Sequence, residues 1–135
     1  MKHIENETGE YYVDDNGLIQ GEYKCYYDNG QLWIHCNYKD GLKHGEYKCY
    51  YKNCQLWIHC NYKDDKKHGE YKEYYHNGKL NIHCYYKDGE RHGEYREYKS
   101  YNADDGQLKE FQYFQNGEDV TQKYLNVQKW KEMQK

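Results

Sequence analysis

A unit of 24 residues recurs along this 135-residue chain, and it constrains the fold more than any other feature. Gly21-Glu22-Tyr23-Lys24-Cys25-Tyr26-Tyr27 returns as Gly45-Glu46-Tyr47-Lys48-Cys49-Tyr50-Tyr51. It returns again as Gly69-Glu70-Tyr71-Lys72-Glu73-Tyr74-Tyr75 and once more from Gly93 to Tyr98. The second half of the unit behaves alike: Gln31 to Tyr38 reappears almost unchanged from Gln55 to Tyr62, and Lys79 to Tyr86 is a looser copy. A fixed period of this size means one supersecondary unit stacked on itself. Any chemical group in the unit then comes in several copies, which points away from a single catalytic centre.

Two dipeptides punctuate each unit. Asn29-Gly30 and Asp40-Gly41 predict two-residue type I′ hairpin turns, because glycine accepts a positive φ freely. The runs between them alternate as half-buried strands do. With Asn29-Gly30 as the turn, Tyr27 opposes Leu32, Cys25 opposes Ile34 and Tyr23 opposes Cys36. With Asp40-Gly41 as the next turn, Cys36 opposes Gly45, Ile34 opposes Tyr47 and Leu32 opposes Cys49. Both turns sort the same residues onto the same side, and a slip of one residue would flip every side chain. One face is expected to carry Tyr23, Cys25, Tyr27, Leu32, Ile34, Cys36 and Tyr38. The other carries Glu22, Lys24, Tyr26, Trp33, His35, Asn37 and His44. The fold predicted is all-β: an elongated single-layer antiparallel β-hairpin repeat array. About nine strands at about 4.8 Å each make it roughly 40 Å long.

The repeat is imperfect in informative places. Cys54 and Asp65 stand where the other units have turn glycines. Cysteine tolerates left-handed geometry poorly, so strain or a different turn type is expected at Asn53-Cys54. The last unit has four extra residues in the stretch 99–106, which predicts a longer loop. After Asn116-Gly117 the pattern becomes helical: Asp119 is placed to cap, with Val120, Tyr124, Val127 and Trp130 on one side. A short C-terminal helix is a sensible cap for the last strand, since repeat arrays need caps and open edges attract other chains. The chain therefore divides into an N-terminal tail (1–9), a repeat domain (10–118) and a capping helix (119–135). Gly9 to Gln20 looks like a half-repeat, with Asn16-Gly17 matching Asp40-Gly41.

Leu, Ile, Val and Phe are scarce, which alone would indicate disorder. Twenty tyrosines change that reading, because each can bury a ring while its hydroxyl stays near water or a partner. Proline is absent. The formal net charge is −3 with signs interleaved, so no basic stripe favours nucleic acid. Met1 to Glu7 has no apolar core and does not read as a signal peptide, and no apolar run approaches a membrane span. The expected location is the cytoplasm of the producing cell or of a host, with the six cysteines free.

The run Tyr38-Lys39-Asp40-Gly41-Leu42-Lys43-His44-Gly45-Glu46-Tyr47, followed by Tyr51 and the Asn-Gly class of turn, resembles a MORN repeat (membrane occupation and recognition nexus). It looks most like the variant subgroup of bacterial and giant-virus proteins that includes antitoxin-like members. The resemblance covers about residues 10 to 118. It implies a hairpin array that serves as a scaffold or binding surface, sometimes as a dimer, with no catalytic residues. The chain departs from the usual pattern at Tyr23, Tyr47 and Tyr71, where a second glycine is expected. It departs again at Ile34 and Cys36, which replace the Gly and Trp of the second strand.

Three sets of residues invite a chemical reading. The pairs His35-Cys36, His59-Cys60 and His83-Cys84 are good zinc ligands by type. Strand neighbours point to opposite faces, however, and successive copies lie roughly 10 Å apart. No metal and no cofactor is expected, and the cysteines read as small packing residues. The histidines could act in acid–base catalysis. Yet His35 falls between Lys24 and Glu46, and His59 between Lys48 and Glu70, as cross-strand charge ladders do. No nucleophile stands beside a base and an orienting acid, so the chain is not expected to be an enzyme. The third set is aromatic: Trp33 opposite Tyr26 and Trp57 opposite Tyr50, with Tyr74 and Tyr85. This is either cross-strand stiffening or the composition of a protein-binding surface.

The expectation is a non-enzymatic protein-interaction or scaffold module. Its candidate partner-binding residues are Tyr26, Trp33, His35, Tyr50, Trp57, His59, Tyr74, His83 and Tyr85. The partner would be another protein or a second copy of the chain. An antitoxin or immunity protein that docks on a toxin is the first alternative. A membrane-surface adaptor is the second, weakened by the balanced charge.

Overall fold

A computed structural model describes residues 1–99 and 107–135. The longer loop expected over 99–106 falls, apart from Lys99, outside the described residues. Among the described residues fourteen strands form one antiparallel sheet, followed by one helix. They are β1 (Lys2–Asn6), β2 (Gly9–Val13), β3 (Gly21–Tyr26), β4 (Leu32–Lys39), β5 (Leu42–Lys43), β6 (Gly45–Tyr50) and β7 (Leu56–Lys63). Next come β8 (Lys66–Lys67), β9 (Gly69–Tyr74), β10 (Leu80–Lys87), β11 (Glu90–Arg91), β12 (Gly93–Tyr98), β13 (Leu108–Gln115), β14 (Glu118–Asp119) and α1 (Thr121–Met133). The long strands lie in chain order, while the two-residue β5, β8 and β11 pair with the ends of β4, β7 and β10. The single-layer hairpin array with a period of 24 is thus the observed architecture. The strand count exceeds the expected nine or so because these short strands and an N-terminal hairpin join the sheet.

The tail expected over 1–9 is a correction: its residues 2–6 form β1, paired with β2 from Lys2↔Val13 to Asn6↔Gly9. Asn6 closes this hairpin, its Oδ1 accepting from Thr8 N (2.9 Å), Thr8 Oγ1 (2.7 Å) and Gly9 N (3.1 Å). A Cβ on Gly9 would run into the carbonyl oxygen of Lys24 on β3, so glycine is required there.

The Asp40-Gly41 turn is type I′ as predicted, with φ of 51° and 80°. Asp64-Asp65, Asp88-Gly89 and Asn116-Gly117 repeat it, both residues left-handed each time. These turns stack. Gly41 N–H donates to Ile19 O (3.0 Å), Asp65 N–H to Lys43 O (2.9 Å), Gly89 N–H to Lys67 O (2.9 Å) and Gly117 N–H to Arg91 O (2.8 Å). Where glycine is lost, Asp65 adds a bond of its own, its Oδ1 accepting from Lys43 N at 2.8 Å.

The other turn differs from the prediction. Tyr27 N–H donates to Gln31 O (2.8 Å) and Gly30 N–H to Tyr27 O (3.0 Å), and only Gly30 is left-handed (φ 84°). This is a three-residue loop, a type I turn closed by a left-handed residue. Tyr26 therefore pairs with Leu32, not Tyr27 with Leu32. A bulge at Trp33 absorbs the extra residue and restores Cys25↔Ile34 and Tyr23↔Cys36 as expected. Tyr50↔Leu56 and Tyr74↔Leu80 repeat the device. Between units a second difference appears: Ile34 pairs with Cys49 and His35 with Lys48, two residues from the expected register. After the turn, His44 N–H still bonds Asn37 O (2.9 Å), but Gly45, the first residue of β6, bends the chain away at φ 93°. A shift of two preserves which face each side chain occupies.

The core lies on one face. Cys36, Cys49, Cys60, Tyr71, Cys84, Tyr95 and Phe114 are buried. Tyr47–Tyr62 (5.2 Å), Tyr71–Tyr86 (5.5 Å) and Tyr95–Phe114 (6.2 Å) meet edge to face. A cation lies over each pair: Lys43 on the first, Lys67 on the second and Arg91 on the third, 4.8–5.4 Å from the ring centroids. Each such contact contributes about 0.5–1 kcal/mol.

The C-terminal helix begins at Thr121, so residue 119 belongs to β14. Val120, not Asp119, is the N-cap residue; Asp119 reaches in from one position earlier, accepting from Thr121 N at 3.0 Å. The helix rests on β13 through Tyr124, stacked on Tyr113 at 4.0 Å and 6.0 Å from Phe111. Val127 and Trp130, expected on the packed side, are exposed, and no helix residue is buried. The lid is therefore one ring deep.

Cys54 takes φ 70° in the same three-residue loop that Gly30 closes, so strain was rightly expected there, without a change of turn type. Cys54→Gly should stabilise the protein by about 0.5–1 kcal/mol, less what its Sγ bond to Gln31 (2.9 Å) contributes. A higher urea midpoint at unchanged slope is the expected result.

Candidate binding face

The face opposite the core is built in three stripes. Tyr26↔Leu32, Tyr50↔Leu56, Tyr74↔Leu80 and Tyr98↔Leu108 form the first, one apolar pair per unit. Paired residues share a face, so the loop and bulge carry the leucines over to the tyrosines. The second is an unbroken cross-strand row: Lys24, His35, Lys48, His59, Lys72, His83 and Arg96, each directly opposite the next. The third pairs Glu22 with Asn37, Glu46 with Asn61, Glu70 with Tyr85 and Glu94 with Tyr113.

The second and third stripes neutralise each other. Glu22 bridges His35 Nε2 (3.1 Å) and Lys24 Nζ (3.4 Å). Glu46 bridges His59 (3.2 Å) and Lys48 (3.5 Å), Glu70 bridges His83 (2.9 Å) and Lys72 (3.8 Å), and Glu94 pairs with Arg96. The expected neighbours Glu46 for His35 and Glu70 for His59 are corrected by the two-residue shift: each histidine lies between two lysines and takes its carboxylate from its own unit.

Of the nine candidate residues, Tyr26, His35, Tyr50, His59, Tyr74, His83 and Tyr85 gather on this face. Trp33 and Trp57 do not. The bulge turns them to the core side: Trp33 stacks on Tyr27 (5.3 Å) and Trp57 on Tyr51 (4.8 Å). Burial raises the Cys49 thiol, and a hydrogen bond from the Trp33 side chain pulls the other way. Cys49 is the cross-strand partner of Ile34, so Trp33 and Ile34 share a side, contrary to the expected alternation. In the third unit Asn81 takes this place, its Nδ2 donating to Glu73 Oε2 at 3.3 Å. The leucines of the first stripe were missed, and nothing in the alternation could have shown them, because the loop and the bulge cancel outside the four residues between them.

The geometry splits each histidine–cysteine pair: His35 is on the charged face, while Cys36 is buried on the other. Burial pushes the thiols of Cys36, Cys60 and Cys84 up to about 11, which keeps them protonated at neutral pH and poor as nucleophiles. All six cysteines are free. Among the described residues one set of metal-ligand type converges, His3, Glu5 and Glu10, with ligand atoms within 4.8 Å of one another; it lies on the exposed N-terminal hairpin. Among the described residues no helix is long and apolar enough to cross a membrane.

The pattern that defines the MORN repeat variant matches three consecutive stretches, residues 19–40, 43–64 and 67–88. The chain is a MORN-type repeat protein. In structure the period continues past the matched stretches, since β12 and β13 repeat both the pairing and the bulge at Tyr98↔Leu108. MORN repeats are in general non-catalytic modules that bind proteins or membranes. A search among curated proteins finds no match.

Two outcomes follow from this MORN geometry. Trp57→Ala should lower the unfolding free energy by about 1–3 kcal/mol, the range for a large ring that is half-buried, as read by urea unfolding. The second concerns acid. Hydrogen bonds from His35, His59 and His83 hold Glu22, Glu46 and Glu70 below the model-peptide value of 4.5. A carboxylate depressed in the folded state stabilises it above the unfolded value, and the gain is lost as pH falls through the folded one. Stability should therefore drop below about pH 4.5, and Glu46→Gln should flatten part of that drop, by about 0.3 kcal/mol for so exposed a pair.

Proposed function

We propose that this MORN-type protein is a non-enzymatic interaction module that docks another protein on its striped face. The observation that carries the reading is the register: a row of Tyr–Leu pairs beside a row of Lys, His and Arg on one surface. Half-buried tyrosines next to paired charges match the anatomy of protein interfaces, with an apolar centre and a polar rim. The charge row is neutralised from within, which favours a protein over a polyanion as the occupant. Six free thiols agree with a reducing, cytoplasmic setting. An antitoxin or immunity role is one case of the same docking, with a toxic enzyme as the protein bound.

Tyr50→Ser combined with Tyr74→Ser removes two members of the apolar row and leaves the core face untouched. With folding verified by circular dichroism, a quantitative pull-down from the native cell should lose at least 90% of a specific protein relative to wild type, about 1.4 kcal/mol or more of affinity. Undiminished recovery of the same proteins would overturn the reading. Flotation of wild type, but not the double variant, with anionic vesicles would replace the protein partner with a membrane.

A further inference from the structure

The two outer strands of the sheet are not equivalent. On β13 the second half of the edge is closed: β14 pairs with Phe114 and Gln115, Tyr113 N–H donates to Thr121 Oγ1 (2.9 Å), and Tyr113 O accepts from Val120 N–H (2.8 Å). Among the described residues nothing pairs with the outer side of β1. β1 has no proline and its pairing with β2 runs without a bulge, so its edge protection is limited to its short length and the charges of Lys2 and Glu5.

Which backbone groups β1 offers follows from alternation. Tyr26 N–H donates to Thr8 O (2.9 Å), and Glu10 pairs with Lys24, so the N–H and C=O of Glu10 face β3. Those of Tyr11 then face β1, where its partner is Ile4. Ile4 thus spends its backbone groups on β2, and His3 and Glu5 present theirs outward.

We infer that β1 is a self-complementary edge that joins two copies of this chain into one continuous sheet, antiparallel and centred on Ile4. In that register His3 opposes the second copy's Glu5, Glu5 opposes the second copy's His3, and Ile4 meets Ile4. Both outward-facing residues gain backbone partners at once. The side chains agree with the register. Within one chain Glu5 stands directly opposite Glu10, a like-charge pair, and His3, within 4.8 Å of both carboxylates, bonds Glu10 at 3.3 Å. The second copy's His3 gives Glu5 a directly facing cross-strand partner across the seam, where its own chain offers it Glu10. Sliding the strands by two residues either way sets Glu5 against Glu5 or His3 against His3, so one register is selected. The half-buried Ile4 gains cover from its twin. The contact is isologous and closes as a dimer. It uses the edge and leaves the striped face free, so it stands independently of the docking proposed above.

Sedimentation equilibrium of the full chain, from micromolar to several hundred micromolar, tests this. The expected result is a reversible monomer–dimer equilibrium reaching twice the 16.7 kDa chain mass. Glu5→Pro deletes an outward N–H that β2 does not use, and should raise the dimer Kd at least tenfold. Glu5→Lys, which keeps the backbone donor, should do the same by charge alone. In a Cys54→Gly background, Ile4→Cys should yield a disulfide-linked dimer on oxidation, because Cα atoms of a facing non-hydrogen-bonded pair lie about 4.5 Å apart. A monomer at every concentration would overturn the inference, as would a dimer indifferent to both Glu5 variants. Masses that keep growing would overturn it too, by showing open head-to-tail assembly. Tyr50→Ser with Tyr74→Ser should leave the dimer intact, which separates failure of this contact from failure of the docking face.

Discussion

A sheet whose apolar face has no second layer over it among the described residues must cover that face with its own side chains. That constraint explains the composition. Small buried thiols at Cys36, Cys60 and Cys84 leave room for rings to lean inward from neighbouring strands. Tyr47 and Tyr62 meet edge to face over the sheet, and Lys43 closes the pair from above. The aliphatic stem of such a lysine is itself cover, with the charge left in water. The arrangement recurs with Lys67 and Arg91, so a thin protein poor in aliphatic residues still dehydrates a continuous strip. Burial lifts Tyr38 and Tyr62 to about 12 and Tyr47 and Tyr71 further still.

Because no second layer covers the repeats among the described residues, each unit depends on the next one along the chain. Both ends of the strands are tied. At one end the type I′ turns pass N–H groups to the preceding unit. At the other, tyrosine hydroxyls donate onward: Tyr27 to Tyr50 O (2.6 Å), Tyr51 to Tyr74 O (2.6 Å) and Tyr75 to Tyr98 O (2.9 Å). Each bond contributes about 0.5–1.5 kcal/mol net. Such ties allow local departures, because a poor turn residue such as Cys54 is held by neighbours on either side.

The repeat, the hairpin topology and the sorting of Cys36, Ile34 and Tyr38 from His35, Lys24 and Glu22 were legible in the sequence, because period and alternation are properties of strands themselves. Register in detail was not. Asn29-Gly30 signals a tight turn without saying whether two residues or three close it, and the bulge at Trp33 hides the difference from every residue beyond. Gly45 shifts the next strand by two, which alternation cannot detect. The tail became β1 because pairing with β2 decides the state of a five-residue stretch in which four residues are polar and only Ile4 favours a strand. The helix was found by its pattern, but its apolar side promised more contact than Tyr124 alone supplies.

The tryptophans show why composition misleads in such a fold. Trp and Tyr are enriched in binding surfaces, but here one inserted residue decides which face a ring joins. Trp33 and Trp57 stack on Tyr27 and Tyr51 on the core side, and the half-buried Leu32 and Leu56 take their places on the opposite face. A single-layer protein has few surfaces left over once its core face is sealed: the opposite face and the two edges. The face offers a neutralised charge row, whose partners must match a pattern and not a net charge. The bare edge offers backbone groups, which any strand could satisfy, and only the placement of His3 and Glu5 gives it a preferred occupant. Recognition on both surfaces is therefore set by register, the same property that seals the core.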